Sequence, residues 1–205
     1  VSDVVDSSAL KRLLYEAKND PKADILLLAK TCEEYFPGGY LKLGIEGYVE
    51  QIIEKPNPEE LPSDLVNIVF HYFKDFKRFF EILESEKIGK TDDRYERALQ
   101  KACDREQKVA AVRYDGRWQA LKYPWHILPM MTELILAKKS RIHRSAEISK
   151  KATVKGHVVI EEGVKVFENA VIKGPAYIGK GSVVANNALV RDSHIGAGSV
   201  VGYNT

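Results

Sequence analysis

Cysteine is scarce in this sequence. Two residues, Cys32 and Cys103, among 205 support neither a disulfide framework nor a paired-thiolate metal motif. No apolar run approaches the roughly 20 residues that cross a bilayer, and the opening VSDVVDSSALKR has no basic-then-apolar secretion layout. Neither sign of charge is in excess. Lys plus Arg number 31 and Asp plus Glu 29, a net charge of +2, which offers no strong field for nucleic acid or an anionic membrane. These absences lead us to expect a soluble cytoplasmic chain with no metal cluster and with neither nucleic acid nor membrane as its partner. An initiator Met is also missing, and the final GYNT stops in mid-pattern, as expected of a piece of a longer protein. The 44% apolar content over this length suffices for one large domain or two modest ones.

The C-terminal third carries a repeat. Every sixth residue from Ile142 is a branched aliphatic: Ile142, Ile148, Val154, Ile160, Val166, Ile172, Ile178, Val184 and Val190. After one step of five the series resumes at Ile195 and Val201. Four residues after each aliphatic stands something small or branched, from Ala146 to Ala188. A helix requires apolar spacings of three and four and a flat strand requires two, so six fits neither. It fits a coil of three short strands whose aliphatics stack inward, turn upon turn. Gly156, Gly163, Gly174, Asn187 and Gly196 are expected at its corners. Such a coil would expose strand edges and apolar stack at Thr205, so further chain or a second copy is expected to cover it, making a homo-oligomer.

Residues 1–137 alternate strand and helix signals, which argues an α/β domain with a mixed sheet. Ser7 or Ser8 can cap a helix carrying Leu10, Leu13, Leu14 and Ala17. Strands are expected over Asp24–Ala29, Tyr48–Ile53, Leu65–Phe73 and Lys108–Tyr114. Helices are expected near Asp75–Glu84 and Asp92–Arg105, with a last one opened by Pro124 despite Pro129 inside it. A basic joint at Lys138-Lys139-Ser140-Arg141 leads into a second domain, 138–205.

Five local words, in order, resemble the sugar-1-phosphate nucleotidylyltransferases. VSDVV resembles the strand ending in that family's metal aspartate, with Asp3 at the match. Gly39 stands where the family places the Gly of a Tyr-Gly pair, fifteen residues before Glu54-Lys55-Pro56, which resembles its EKP signature. SDLVNIVFHYF resembles the strand with the family's Asn, here Asn67, and GRWQALKYPWHIL resembles its closing W-x-D-x-G-x-P-W motif through Trp118, Pro124 and Trp125. A hexapeptide coil after the PW helix repeats the family's domain order and implies a left-handed β-helix. The fold class is thus α/β: the C-terminal part of a nucleotidyltransferase-like mixed-sheet domain, followed by a parallel β-helix.

The resemblance implies an activity and assigns roles. The family condenses a nucleoside triphosphate with a sugar 1-phosphate and releases pyrophosphate, so nucleotide sugars or sugar 1-phosphates are the expected ligands. Glu54 would accept hydrogen bonds from sugar hydroxyls, Lys55 would face the sugar's phosphate, and Asn67 would add a neutral donor and acceptor. Gly39 would allow close approach of backbone, Trp118 would belong to the substrate site, and Asp3 would hold Mg²⁺. Three departures weaken this. The Gly-rich triphosphate loop lies upstream in the family and is not found in these 205 residues. Ala120 replaces the second metal carboxylate of the W-x-D motif, and Lys122 and Val69 replace glycines. The chain alone is therefore expected to be inactive or degenerate, and no residue is assigned as catalytic. Two alternatives remain: a non-catalytic regulatory or assembly paralogue, and an acyltransferase using the coil, whose only bases there are His143, His157 and His194. Outside the coil, His71 and His126 have no partner at metal spacing and, like His157, are read as structural or exposed; Trp118, Trp125 and the FHYF and FKRFF aromatics are read as packing.

Overall fold

The structure, a computed structural model, describes residues 3–89 and 93–205, and of Val69 the backbone alone. The chain divides into two compact units. The first is Val5–Arg117; the second is Trp118–Thr205 together with the start of the first strand.

That strand is β1 (Asp3–Val5), followed by α1 (Ser7–Asn19), β2 (Ile25–Thr31), β3 (Gly39–Leu43), β4 (Val49–Glu54) and β5 (Leu65–Phe73). Then come α2 (Phe76–Ser85), α3 (Arg94–Asp104) and β6 (Val109–Arg113). The strands form a five-stranded sheet in the order β4-β3-β5-β2-β6, in which only β2 and β6 run parallel. The interior strand β2 reads ILLLA and is buried over all five of these residues, as a strand covered on both faces must be. On one face Phe79 and Ile82 of α2 and Ala98, Leu99 and Ala102 of α3 pack with Ile25, Leu27, Leu41, Leu65 and Val109. The edge strand β4 does not leave its backbone open to α3. Gln100 Oε1 accepts from the Ile52 N–H at 2.7 Å, and its Nε2 donates to Glu50 O at 3.1 Å.

The expected strands and helices are present, with two local corrections. The cap of α1 is Asp6, not a serine: its carboxylate accepts from Ser8 N at 2.8 Å. Of the expected apolar face, Leu13 is buried beside Ala9, while Leu10 and Leu14 are about half exposed. The start expected for α3 at Asp92 lies outside the described residues. Strand β3 had no clear signal, because GYLKL is short and opens on glycine.

The second unit opens with β7 (Trp118–Ala120), which pairs with β1. A 3₁₀ turn at Pro124–His126 leads into α4 (Ile127–Leu136). Pro129 falls in the first turn of α4, where its missing N–H has no helical acceptor to lose, so the helix tolerates it. Then β8 (Arg141–Ile142), β9 (Glu147–Ile148), β10 (Thr153–Lys155), β11 (Val158–Ile160) and β12 (Lys165–Val166) begin the coil. β13 (Val171–Ile178), β14 (Val183–Val184), β15 (Leu189–Ile195) and β16 (Val200–Val201) continue it.

The three expected faces are present, all paired in parallel. Ile142, Ile160, Ile178 and Ile195 stack on one, Ile148, Val166, Val184 and Val201 on the second, and Val154, Ile172 and Val190 on the third. From Ile160 to Val190 these side chains are at most 3% exposed. The step of five has a structural cause. Between β13 and β15 two corner residues, Gly174 and Pro175, face one, Asp192, before the register resumes at Ala176↔Ser193. Not every expected corner residue needs unusual backbone. Gly163, Gly181 and Gly198 share φ +67° at one corner and Asn169, Asn187 and Asn204 share φ of 57–59° at another, whereas Gly174 and Gly196 do not have positive φ. Gly174 is required by approach instead: a Cβ there would lie 2.2 Å from His157 O.

Candidate functional site

In the first unit, four of the sequence-predicted residues meet where β3 and β5 begin and β4 ends. Gly39 pairs in register with Glu54 across β3 and β4, and its neighbour Tyr40 pairs with Val66 of β5. A Cβ built on Gly39 would lie 3.4 Å from Glu54 Oε2, 3.6 Å from Glu96 Cγ and 3.8 Å from Asn67 Cβ. The absent side chain is therefore the gap into which side chains from β4, β5 and α3 converge. Lys55 follows the strand with φ +47°, a left-handed angle uncommon for a lysine. Its N–H donates to Gly38 O at 3.0 Å, and its Nζ lies 3.2 Å from Glu54 Oε1. The Glu54 side chain is 15% exposed and that of Lys55 51% exposed, so the pair offers one sheltered acceptor and one half-exposed cation.

Asn67 is held from behind. His71 Nε2 lies 2.7 Å from Asn67 Oδ1, and His71 Nδ1 lies 2.6 Å from the hydroxyl of Tyr95. The imidazole also stacks on Tyr95, with ring centroids 5.4 Å apart and 13° between planes. Burial favours the neutral imidazole and lowers its pKa from 6.5 to about 4. Burial likewise raises the pKa of the Tyr95 phenol, keeping it protonated.

Sequence reasoning took His71 as structural or exposed and gave no role to Tyr95 or Glu96. The His71 signal was present: Asn67 and His71 are four apart on a strand, which puts them on the same face. Glu96 and Tyr95 carry no such signal, since only packing brings α3 to the strand ends.

Asp3 and Trp118 belong to the second unit, where Trp118 Nε1 donates to Asp3 Oδ2 at 3.0 Å. Ala120 is buried at 3% exposure. Among the described residues no three His, Cys, Asp or Glu side chains are grouped to hold a metal. Mg²⁺ bound through substrate phosphates asks for only one or two protein carboxylates and keeps its waters, so Asp3, oriented by the indole, fits as a single ligand. Lys122 is exposed and donates its backbone N–H to His126 Nδ1 at 3.1 Å. The side chain of Val69 lies outside the described residues. Trp125, expected in packing, is 66% exposed and stacks on Tyr123. The aromatics of FKRFF divide: Phe79 is buried, while Phe76 and Phe80 are exposed.

The histidines of the coil are accounted for separately. His143 Nδ1 is 2.8 Å from Ser145 Oγ, and His157 Nε2 is 3.2 Å from Ile135 O. His194 stacks on Tyr177 and, with Met130, Met131 and Lys138, lines a mainly apolar cavity of about 580 Å³ beside α4.

Residues 1–121 match the family described as Nucleotidyl transferase. The chain belongs to that family. Within this nucleotidyl transferase chain, residues 157–192 match a second family, Bacterial transferase hexapeptide (six repeats). The sequence is 31% identical over 134 residues to "Bifunctional protein GlmU" of Methanococcus maripaludis (strain C7), covering 62% of this chain and 30% of that protein. It is 34% identical over 126 residues to "Bifunctional protein GlmU" of Methanocaldococcus jannaschii, covering 61% and 29%. The matches thus span under a third of these curated relatives. Among solved structures, the fold is similar to that of UDP-glucose pyrophosphorylase complexed with UDP-glucose. The TM-score is 0.50 at 24% identity, covering 58% of this chain and 47% of that one. No helix among the described residues is long and apolar enough to cross a membrane.

Proposed function

We propose that this chain is the sugar-binding part of a cytoplasmic nucleotidylyltransferase that joins a nucleoside triphosphate to a sugar 1-phosphate. The observation that carries the reading is the convergence of Gly39, Glu54 and Asn67, with Lys55 beside them. Glu54 accepts sugar hydroxyls through a charge-assisted bond, and the bare backbone of Gly39 lets the ring approach. Lys55 meets the phosphate as a point charge, and Asn67 donates to a further ring oxygen. The attacking phosphate oxygen and the α-phosphorus react in line, so the work of these residues is positioning and charge neutralisation rather than covalent chemistry. Asp3 is the protein carboxylate proposed for Mg²⁺, which would supply positive charge to the phosphate oxygens. Within the second unit, Trp118 orients Asp3 through the bond from its indole N–H.

Calorimetric titration tests the reading, using glucose 1-phosphate, N-acetylglucosamine 1-phosphate and the matching UDP- and dTDP-sugars, with and without Mg²⁺. Saturable binding by at least one probe, weakened about tenfold or more by Glu54→Ala or Lys55→Ala, is expected. A folded chain that binds none of them refutes it.

A second reading draws on Ala120. A buried methyl stands where the family's second metal carboxylate would be, which favours a paralogue that binds sugar nucleotide without turning it over. The purified chain is expected to release little or no pyrophosphate from nucleotide and sugar phosphate under either reading, and robust release sinks that expectation. Along the coil Phe167 and Leu189 are 41% and 48% exposed, which supports self-association through the coil. A monodisperse monomer in light scattering would remove that part of the proposal.

A further inference from the structure

The carboxamide of Asn67 could face the ligand with either its oxygen or its nitrogen, and the two choices select opposite ligand groups. In the structure the oxygen, Oδ1, is the atom turned back toward His71. Asn67 Oδ1 can only accept, so the imidazole nitrogen 2.7 Å away, His71 Nε2, carries the proton. The other nitrogen, Nδ1, is then a lone pair and takes the hydroxyl proton of Tyr95 at 2.6 Å. Each group in this chain has one role, and the Tyr95 stack fixes the plane of the imidazole. Among the described residues, Gln107 Oε1 is the one buried side-chain polar atom left without a partner. Asn67 Nδ2, which makes no hydrogen bond among the described residues, is therefore accessible rather than sealed in. The neutral state required of His71 agrees with its burial.

We propose that His71, locked by Tyr95, is a positioning residue that holds the Asn67 carboxamide with its nitrogen toward the ligand, so that this site selects an acceptor oxygen at that point. The inference rests on the sugar-binding reading above for its ligand, though not for its geometry. Without the imidazole, the carboxamide can turn over and meet the ligand oxygen with a carbonyl, oxygen against oxygen. Selection of this kind is strong because the wrong group leaves a polar atom unpaired at the contact.

Two measurements on the full chain test it. Long-range ¹H–¹⁵N spectra of the histidine-labelled protein at neutral pH, with His71 assigned through His71→Gln, report its tautomer without any ligand. A proton on Nε2 supports the proposal. A proton on Nδ1 overturns it, because Nε2 would then accept and the carboxamide nitrogen would have to face inward. The second measurement is calorimetry with whichever sugar 1-phosphate the wild type binds. His71→Leu is expected to weaken binding about tenfold, and His71→Gln, whose amide can still donate to Oδ1, less than about threefold. In an Asn67→Ala background His71→Leu is expected to change binding no further, as a residue acting through Asn67 must. Equal binding by wild type and His71→Leu, or additive losses in the double variant, overturns the proposal. If the wild type binds no probe, the sugar-binding reading falls, and the tautomer alone decides the assignment of His71.

Discussion

Acidification should unfold the first unit earlier than its carboxylates alone require, through His71. An ordinary histidine titrates near 6.5, and this one, buried against Tyr95, at about 4. Below pH 6.5 the unfolded chain therefore takes up a proton that the folded chain refuses. The stabilisation is complete above pH 6.5, declines between 6.5 and 4, and levels off below. Over the whole interval the linkage amounts to about 3 kcal/mol, and roughly 2 kcal/mol has gone by pH 5. Against a domain stability of about 5–15 kcal/mol this is a large share. The assay is urea denaturation followed by far-UV circular dichroism, from pH 8 to pH 4, on wild type and His71→Gln. Among the described residues, three of the four α-helices (α1, α2 and α3) lie in the first unit, so the helical signal reports mainly on it. Other titrating groups contribute to both proteins and cancel in the difference. The wild type is expected to lose its advantage over His71→Gln progressively between pH 6.5 and 4. A difference that stays constant across that interval would show that the imidazole titrates normally and would refute the reasoning.

Three further outcomes are expected. Gly39→Ala meets only ordinary contacts, 3.4 Å or longer, so circular dichroism should show an unchanged fold while calorimetry shows sugar-phosphate binding weakened by tenfold or more; unchanged affinity would remove Gly39 from the site. Ser182 is fully buried, donating to Gly196 O at 2.7 Å and accepting from Ser199 N at 3.2 Å. Ser182→Ala should therefore cost about 1–3 kcal/mol in thermal or urea unfolding of the coil. At the corners, Gly174→Ala drives a methyl into the backbone of His157 and should abolish folded coil, judged by limited proteolysis, whereas Gly181→Asn meets open space at φ +67° and should cost at most about 1 kcal/mol.

The coil was legible in the sequence because its determinant is local and repeated: each aliphatic at a six-residue step must point inward, whatever the rest of the chain does. The buried strand Ile25–Ala29 was legible for a similar reason, as a continuous apolar run has to be covered on both faces. Elsewhere the signal was ambiguous or weak. Three consecutive residues, Asp6, Ser7 and Ser8, can each cap a helix, and the choice of Asp6 depended on where the chain leaves β1. Trp125 has the composition of a packing residue, yet the 3₁₀ turn leaves it outside. At the candidate site, Gly39, Glu54, Lys55 and Asn67 were found through short words and not through periodicity. Glu96 and Tyr95 were not found at all, because their approach to the strand ends is a property of how α3 packs on β4.

The corner at Asp192 separates two quantities that a flat sheet keeps tied. In an ordinary strand, removing one residue turns every following side chain to the opposite face. Here the chain is one residue shorter between Arg191 and Ser193 than between Lys173 and Ala176, yet Ile195 still stacks on Ile178. The turn absorbs the missing residue before the next face begins. Chain length at this edge is thus free to drift while the inward stack stays in phase, which makes the Asp192 edge the natural seam for splicing a loop into the coil.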